Sequence, residues 1–369
     1  MKYNWQQPDW PLFRYDLADI QGDLFSIATK MGHISGVLKG LPETMQTEAV
    51  LDLMVSEAVK TSEIEGEMLS RADVMSSIRN QLALNVPPQA VRDPRATGAA
   101  ELMKDVRRTF AEPLSKEKLF AWHHMILGTR TEHMRVGAWR NHAEPMQVVS
   151  GPIGKTKVHF EAPPSKQVAK EMKAFIQWFN KSGPGGAQDI KLAAVRSAIA
   201  HVYFESIHPF EDGNGRIGRA LSEMALSQGL GYPVLLSLSK TIEANKKKYY
   251  AALQQAQRSN DITPWITYFV HAVLDAQMDA EAQIDFVLKK TRFFDRHVSQ
   301  LDARQTKVIR RMLEEGPQGF AGGLNAKKYI GITGVSKATA TRDLQYLHDI
   351  GILQRVGAGR STRYILVFY

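Results

Sequence analysis

The feature that most constrains this chain is an apolar stripe at Leu192, Val195, Ile199 and Val202 that runs straight into a glycine-rich turn. Spacings of three and four residues belong to a helix with one face buried, so a core helix is expected from Asp189 to about Ile207. The turn reads His208-Pro209-Phe210-Glu211-Asp212-Gly213-Asn214-Gly215-Arg216-Ile217-Gly218-Arg219. A second helix is expected from about Arg216, with Leu221, Met224, Ala225 and Leu226 on its apolar face.

Helical patterning dominates elsewhere too. Val50, Leu53, Met54 and Ala58 predict a one-faced helix between Pro42 and Gly66, with Gly66 as its stop. Further helices are expected over Ser70–Leu82, ahead of the Asn85-Val86-Pro87-Pro88 loop, and over Gly98–Thr109, Lys116–Leu127 and Ser165–Phe179. Val148-Val149 and Lys157-Val158-His159-Phe160 flank Ser150-Gly151-Pro152-Ile153-Gly154, the pattern of a β-hairpin. The expected class is therefore mainly α. Domains are expected at 1–42 (a cap segment), 43–113 (helical), 114–290 (the core carrying the turn) and 296–369.

Composition excludes several classes. No apolar run reaches the roughly 18 residues that a membrane span needs, and the first residues lack the apolar core of a secretory signal. There are no cysteines, which removes disulfide frameworks and thiolate metal sites. These points favour a cytoplasmic location with no membrane partner. The net charge of +9 is unevenly placed. From Arg296 to Tyr369 twelve Lys or Arg face five Asp or Glu, which suggests a polyanionic partner for that end.

The turn carries the chemistry. Two glycines around Asn214 let backbone N–H groups converge at a helix N-terminus, where unpaired donors and the positive end of the helix dipole favour an anion. Arg216 and Arg219 add cations whose fork geometry suits phosphate oxygens. Asp212 would be repelled by phosphate unless a divalent cation such as Mg²⁺ lay between them. His208 is the one group there that titrates near neutrality, as a general base must. On spacing alone such a turn can also be a plain connection between helices. It is the base, the acid, the glycines and both arginines in one order that favour chemistry. His123-His124, His133, His142 and His159 show no metal-site spacing.

The run His-Pro-Phe-x-Asp-Gly-Asn-Gly-Arg-x-x-Arg resembles the signature of Fic domains, with every defining position filled. The resemblance extends from about Leu114 to Ala272, through the hairpin and Lys248-Tyr249-Tyr250-Ala251-Ala252-Leu253. It implies a Fic-type helical core and a protein adenylyltransferase, which moves AMP from ATP to a Tyr, Ser or Thr hydroxyl of a target protein. By that resemblance His208 would take the hydroxyl proton and Asp212 would hold Mg²⁺. Gly213, Asn214 and Gly215 would cradle the phosphates, with the Asn214 side chain on the α-phosphate. Arg216 and Arg219 would bind the β- and γ-phosphates, and Phe210 would anchor the loop. Tyr249 or Tyr250 would shape the adenine and ribose site, the other being core. The hairpin would be a flap on whose edge a target segment pairs, through Gln147, Val148 and Val149 and through Lys157, Val158, His159 and Phe160.

Thr61-Ser62-Glu63-Ile64-Glu65-Gly66 resembles the inhibitory motif of the same family. Read alone it is a helix end with carboxylates and a glycine stop. A Glu65 carboxylate reaching Arg219 would form a charge-assisted pair where the γ-phosphate must lie, leaving ATP poorly aligned for attack.

The last domain reads as a winged helix. Val308, Ile309, Met312 and Leu313 mark one helix and Ala326–Ile330 a second. Ser336 caps a third, with Ala340, Leu344, Leu347 and Ile350 inward. Lys337, Thr341, Arg342 and Gln345 are left outward, as for a helix in the DNA major groove. Leu353–Val356 and Arg363–Leu366 form a wing bearing Arg355, Arg360 and Arg363, placed to meet phosphates. Such modules also dock proteins or pair as homodimers, so DNA is one partner among those the fold allows. The competing functions are a nucleotide-sensing DNA-binding regulator, and an enzyme that removes AMP or transfers another group. An intact His208 favours an enzyme.

Overall fold

The computed structural model describes residues 2–85, 87–128, 134–150, 157–317 and 319–368. The expected hairpin tip at 151–154, the loop residue Val86 and His133 lie outside them. The chain groups into two compact units, residues 1–40 with 50–280, and residues 41–49 with 281–369.

The first unit is helical. In chain order its elements are α1 (Gln21–Lys39), α2 (Glu43–Ile64, from Val50 on), α3 (Arg71–Gln81), α4 (Pro94–Thr109), α5 (Lys116–Leu127), β1 (Gln147–Ser150), β2 (Lys157–Glu161), α6 (Ser165–Lys181), α7 (Ala193–Ile207), α8 (Asn214–Leu230), α9 (Leu238–Ala244), α10 (Lys246–Ala256) and α11 (Thr263–His297, to Ala280). Two starts differ from the sequence reading, each for a local reason. α4 begins four residues early, because the Asp93 carboxylate caps the Arg95 N–H at 2.9 Å. Pro94 then fills the first helical position, where a missing N–H costs nothing. α7 begins four residues late, since Asp189 accepts from the Gly185 N–H at 2.9 Å and pairs with Lys191 in the loop before it.

α7 is the axis of this unit. Every residue from Ala194 to Ile207 is buried, and α8 is nearly as enclosed. Trp265 packs against α7 and donates its indole N–H to the Ala198 carbonyl at 2.8 Å. α4 and α5 cover the other side, with Trp122 fully buried and its indole N–H on Asp105 at 2.8 Å. The N-terminal segment is tied in as well. Asn4 is fully buried, donating its backbone N–H to Gln257 O and its side chain to Ser206 Oγ.

The second unit contains α12 (Ala303–Leu313), α13 (Ala326–Thr333), α14 (Lys337–Asp349), β3 (Leu353–Val356) and β4 (Arg363–Leu366). β3 and β4 pair antiparallel, with Leu353 opposite Leu366 and Val356 opposite Arg363. Leu324 adds a bridge to Tyr364. Val308, Ile309, Leu344, Leu347 and Leu353 fill its core, and Tyr329 donates to Asp343 at 2.8 Å, tying α13 to α14. This is the winged-helix arrangement. No described helix is long and apolar enough to cross a membrane.

The α4–α5 contact is close enough to test. A Cβ added at Gly98 would stand 1.8 Å from the Met125 carbonyl oxygen, a backbone atom that cannot swing aside. Gly98→Ala is expected to lower stability by about 1–3 kcal/mol, as overpacking does elsewhere. Urea denaturation checks it; an unchanged midpoint would show that the two helices separate at no cost.

Candidate active site

The turn between α7 and α8 is held from within and from behind. His208 ends α7 in the left-handed region (φ 51°, ψ 61°), its N–H on Phe204 O at 2.9 Å. Arg140, buried behind the turn, donates to four acceptors: His208 O at 2.7 Å, Pro163 O at 2.6 Å, Ile207 O at 3.2 Å and Ser165 Oγ at 3.0 Å. Burial lowers the Arg140 pKa to about 10, so it stays charged at neutral pH. Phe210 is fully buried and stacks on His123 with centroids 4.1 Å apart. Gly213 takes φ 80°, open to glycine at little cost.

Asn214 closes the turn on itself. Its Oδ1 accepts the Phe210 N–H at 3.0 Å and its Nδ2 donates to Phe210 O at 2.9 Å. The expected side-chain contact to an α-phosphate is thereby restricted to the second amide hydrogen, because the rest of that amide holds the loop. Asp212 lies at the mouth of the turn, its Oδ1 accepting the Gly213 N–H at 2.6 Å and standing 3.7 Å from Arg216 Nη2.

α8 starts at Asn214, so its first turn carries both arginines into the interior. Arg219 is buried and donates from Nε to Thr61 Oγ1 at 2.8 Å. Its Nη2 serves Thr61 O at 2.9 Å and Glu65 Oε1 at 2.8 Å. Burial alone would lower its pKa; the Glu65 charge, with Tyr249 and Glu205, outweighs that and raises it. Arg216 is buried too and pairs with Glu67 Oε2 at 2.9 Å. Even so, Arg216 Nε and Nη2 and Arg219 Nη1 are buried donors without a hydrogen-bond partner. Buried guanidinium N–H groups are rarely left so, since each forfeits its hydration. Three of them beside a helix N-terminus describe a place for an anion.

Glu65 reaches Arg219 from the end of α2. Gly66, at φ 82°, turns the chain, and the Lys246 ammonium donates to the Ile64 carbonyl. Gly215 makes room: a Cβ there would lie 2.2 Å from Glu65 Oε1. The Glu65 carboxylate thus occupies the space directly against the glycine turn.

These groups open onto a cleft of about 670 Å³. Glu65, Glu205, His208 and Gly215 form one wall and Tyr249, Tyr250, Leu253, Gln254 and Gln257 another, with Gln147, Val148, Val149, His159 and Phe160 of the hairpin opposite. Both tyrosines left open by the sequence line the cleft, and Tyr249 is the more buried. It is 2% exposed, its hydroxyl 2.8 Å from His201 Nε2, whereas Tyr250 is 40% exposed. β1 and β2 pair antiparallel with a register shift at Val148/Val149. β2 is anchored by the Trp5 indole on Glu161 O at 2.7 Å, and by Gln254 and Arg258 on His159 O. Lys157, Val149 and Val158 are exposed.

Sequence reading missed three residues: Arg140, Glu67 and Glu205. Glu205 carried a usable signal, as a charged residue inside a helix that is otherwise buried and largely apolar. Glu67, two residues past Glu65, carried one only if the chain was known to turn back at Gly66. Arg140 carried none.

On the second unit, Lys337, Thr341, Arg342 and Gln345 are all exposed on α14, and Ala340, Leu344 and Leu347 are buried. Gln345 is engaged with Asp349 at 2.7 Å. Arg355 and Arg363 are exposed on the wing; the Arg360 side chain lies outside the described set.

The fold and site together define a helical protein with a histidine at a glycine turn that leads into a helix bearing two buried arginines. Residues 113–226 match the Fic/DOC family, and the chain carries a Fic/DOC-family domain. Residues 3–84 match a domain of unknown function (DUF4172), and residues 321–367 match the C-terminal domain of DIP2311-like transcriptional regulators. The chain is 25% identical over 237 residues to the protein adenylyltransferase Fic of Nematostella vectensis, covering 63% of this chain and 49% of that protein. It is 27% identical over 160 residues to protein adenylyltransferase fic-1 of Caenorhabditis elegans, covering 42% and 27%. The match thus spans half or less of these curated relatives. Among solved structures, a Fic family protein from Desulfovibrio desulfuricans G20 aligns with TM-score 0.53 and 21% identity, over 94% of this chain and 97% of that one. Fic-1 (residues 134–508) of C. elegans aligns with TM-score 0.52 and 20% identity, over 71% and 72%. These likenesses show a shared fold.

Two histidines behind the site make stability depend on pH. Burial lowers both His123 and His201 to about 4, from the usual 6.5. Both are neutral in the fold, so below pH 6.5 the unfolded chain takes up protons that the folded chain refuses. Stability therefore falls as pH drops from about 6.5 towards about 4. Between pH 7 and pH 5 each contributes a loss of about 2 kcal/mol. Denaturation at both pH values should show that difference shrinking in His123→Asn; an equal difference would assign the acid lability elsewhere.

Proposed function

We propose that this protein is an adenylyltransferase that moves AMP from ATP onto a Tyr, Ser or Thr hydroxyl of a target protein and restrains itself through Glu65. The observation that carries the reading is the group of unpartnered buried guanidinium donors at the α8 N-terminus, beside His208 in an open cleft. The match to the Fic/DOC family over the same residues supports it.

In this reading the N–H groups of Gly213, Asn214 and Gly215 and the arginines hold the triphosphate, and Tyr250 lines the nucleoside end. His208 takes the hydroxyl proton as the oxygen bonds the α-phosphorus, and the bond from that phosphorus to the β-bridging oxygen breaks, releasing pyrophosphate. Asp212 fits a Mg²⁺ role, being a partly exposed carboxylate next to phosphate-directed cations. When bound, Mg²⁺ would offset charge on the leaving pyrophosphate. The edge of β1 and β2 would align an extended target segment across the cleft. A requirement for ATP fits a cytoplasmic location.

Inhibition follows from competition for Arg219, whose Nε and Nη2 are committed to Thr61 and Glu65. Glu67 adds a second hold, on Arg216. With ATP labelled at the α-phosphate and Mg²⁺, Glu65→Gly is expected to raise transfer to protein at least tenfold over the parent. Glu67→Gln should raise it by a smaller factor, and His208→Ala should abolish it. Label at parental level in Glu65→Gly would remove the restraint from the proposal. No label in any variant, despite ATP binding, would favour a nucleotide-sensing regulator or AMP removal.

The second unit we assign to DNA, on its exposed Lys337, Thr341, Arg342 and Gln345 face and its match to a transcriptional-regulator domain. Fluorescence anisotropy with duplex DNA should show binding that weakens with salt. Arg342→Ala should reduce both the affinity and the salt slope, the latter by about one if a phosphate contact is lost. Absence of binding at low salt would make this unit a protein-docking module.

A further inference from the structure

Glu205 is a carboxylate inside the core, and nothing in the packing of α7 requires one. It is 5% exposed, on a helix whose neighbours are almost all apolar. Its Oε1 is buried with no hydrogen-bond partner, an arrangement that costs free energy unless the charge serves a purpose. His201, Arg219 and His208 surround it. His201, one turn back, has both ring nitrogens engaged, Nδ1 with Ser222 Oγ at 3.0 Å and Nε2 with the Tyr249 hydroxyl at 2.8 Å. Arg219 on α8 directs Nε and Nη2 to Thr61 and Glu65, and its unpartnered Nη1 makes no hydrogen bond to Glu205, so its influence there is that of a nearby charge. His208, one turn forward, is different. Its Nδ1 is buried without a hydrogen-bond partner and stands 3.5 Å from Glu205 Oε2.

The space for this carboxylate is made by a glycine on the facing helix. A Cβ at Gly218 would come within 2.6 Å of Glu205 Oε1. The groups that face Glu205 are His201 and His208 on α7, Arg219 on α8 and Tyr249 on α10. Burial alone would raise its pKa; His208, then His201 and Arg219, outweigh that and keep the carboxyl below its usual range. The surroundings of Glu205 thus favour its carboxylate form.

We infer that Glu205 is a positioning residue for His208, accepting from Nδ1–H so that Nε2 is left as the proton acceptor toward the cleft. The inference rests on His208 being the general base proposed above. The separation of 3.5 Å closes to a hydrogen bond with a shift of a few tenths of an ångström, as catalytic contacts commonly do when substrate binds. The proton moves once, from the target hydroxyl to Nε2. Glu205 remains a carboxylate throughout and stabilises the imidazolium that forms, as the acidic member of a hydrolase triad does. In this role its effect on the reaction is exerted through the base.

The test uses the full chain carrying Glu65→Gly, with Glu205→Gln and Glu205→Ala added separately. Three readouts are needed: AMP transfer against pH, ATP affinity by calorimetry, and ¹⁵N spectra of histidine-labelled protein with His208 assigned through His208→Ala. Glu205→Gln is expected to leave ATP affinity and KM within about twofold and to lower kcat by about tenfold or more. The acid limb of the rate profile and the His208 titration should both move down by about one pH unit, since a negative neighbour is lost. In Glu205→Ala the neutral His208 should lose its preference for a proton on Nδ1. An unmoved profile with unmoved His208 resonances would overturn the inference, as would activity falling only in step with ATP binding. If the Glu65→Gly parent transfers no AMP, the proposed reaction fails. The ¹⁵N titration then still decides whether Glu205 sets the state of His208.

Discussion

The site depends on how a buried guanidinium is satisfied. Arg219 cannot shed its charge in the interior, so the fold must bring it acceptors. It does so from one direction, the end of α2, which offers the Thr61 hydroxyl and carbonyl and the Glu65 carboxylate. Gly215 is the other half of the arrangement, because any side chain there would collide with that carboxylate. The packing of α2 beside α8, the reach of Glu65 and the shape of the cleft are consequences of the same requirement.

The turn shows a comparable division between parts that hold and parts that are free. Phe210 stacks on His123, Asn214 spends most of its amide on the Phe210 backbone, and Arg140 gathers carbonyls behind His208. These contacts fix the backbone of the turn and the start of α8 without needing a ligand to order them. Preorganisation of this kind is what electrostatic catalysis demands.

Much of this was legible in the residues. The apolar stripe of α7, the glycine turn and the α8 face were legible because burial at helical spacing leaves a direct mark. The Glu65–Arg219 pair was anticipated by resemblance, and its partners lie 154 residues apart in sequence. Nothing local could have given Arg140, whose four acceptors become neighbours only after folding. Tyr249 and Tyr250 looked alike in sequence, and only the packing of His201 against Tyr249 distinguished the buried ring from the exposed one. The divisions at 40/41, 49/50 and 280/281 also escaped composition, since the last two fall within α2 and α11 rather than in Pro- or Gly-rich loops.

The close approach of Glu65 to Gly215 has a thermodynamic corollary. Under the proposed function, an anion would take the place of the Glu65 carboxylate on Arg219, and exclusion of this kind is reciprocal. The factor by which the end of α2 weakens such an anion equals the factor by which the anion loosens the end of α2. Local opening of that helix end, followed through its amide protons, would therefore measure the strength of the proposed restraint with no reaction taking place.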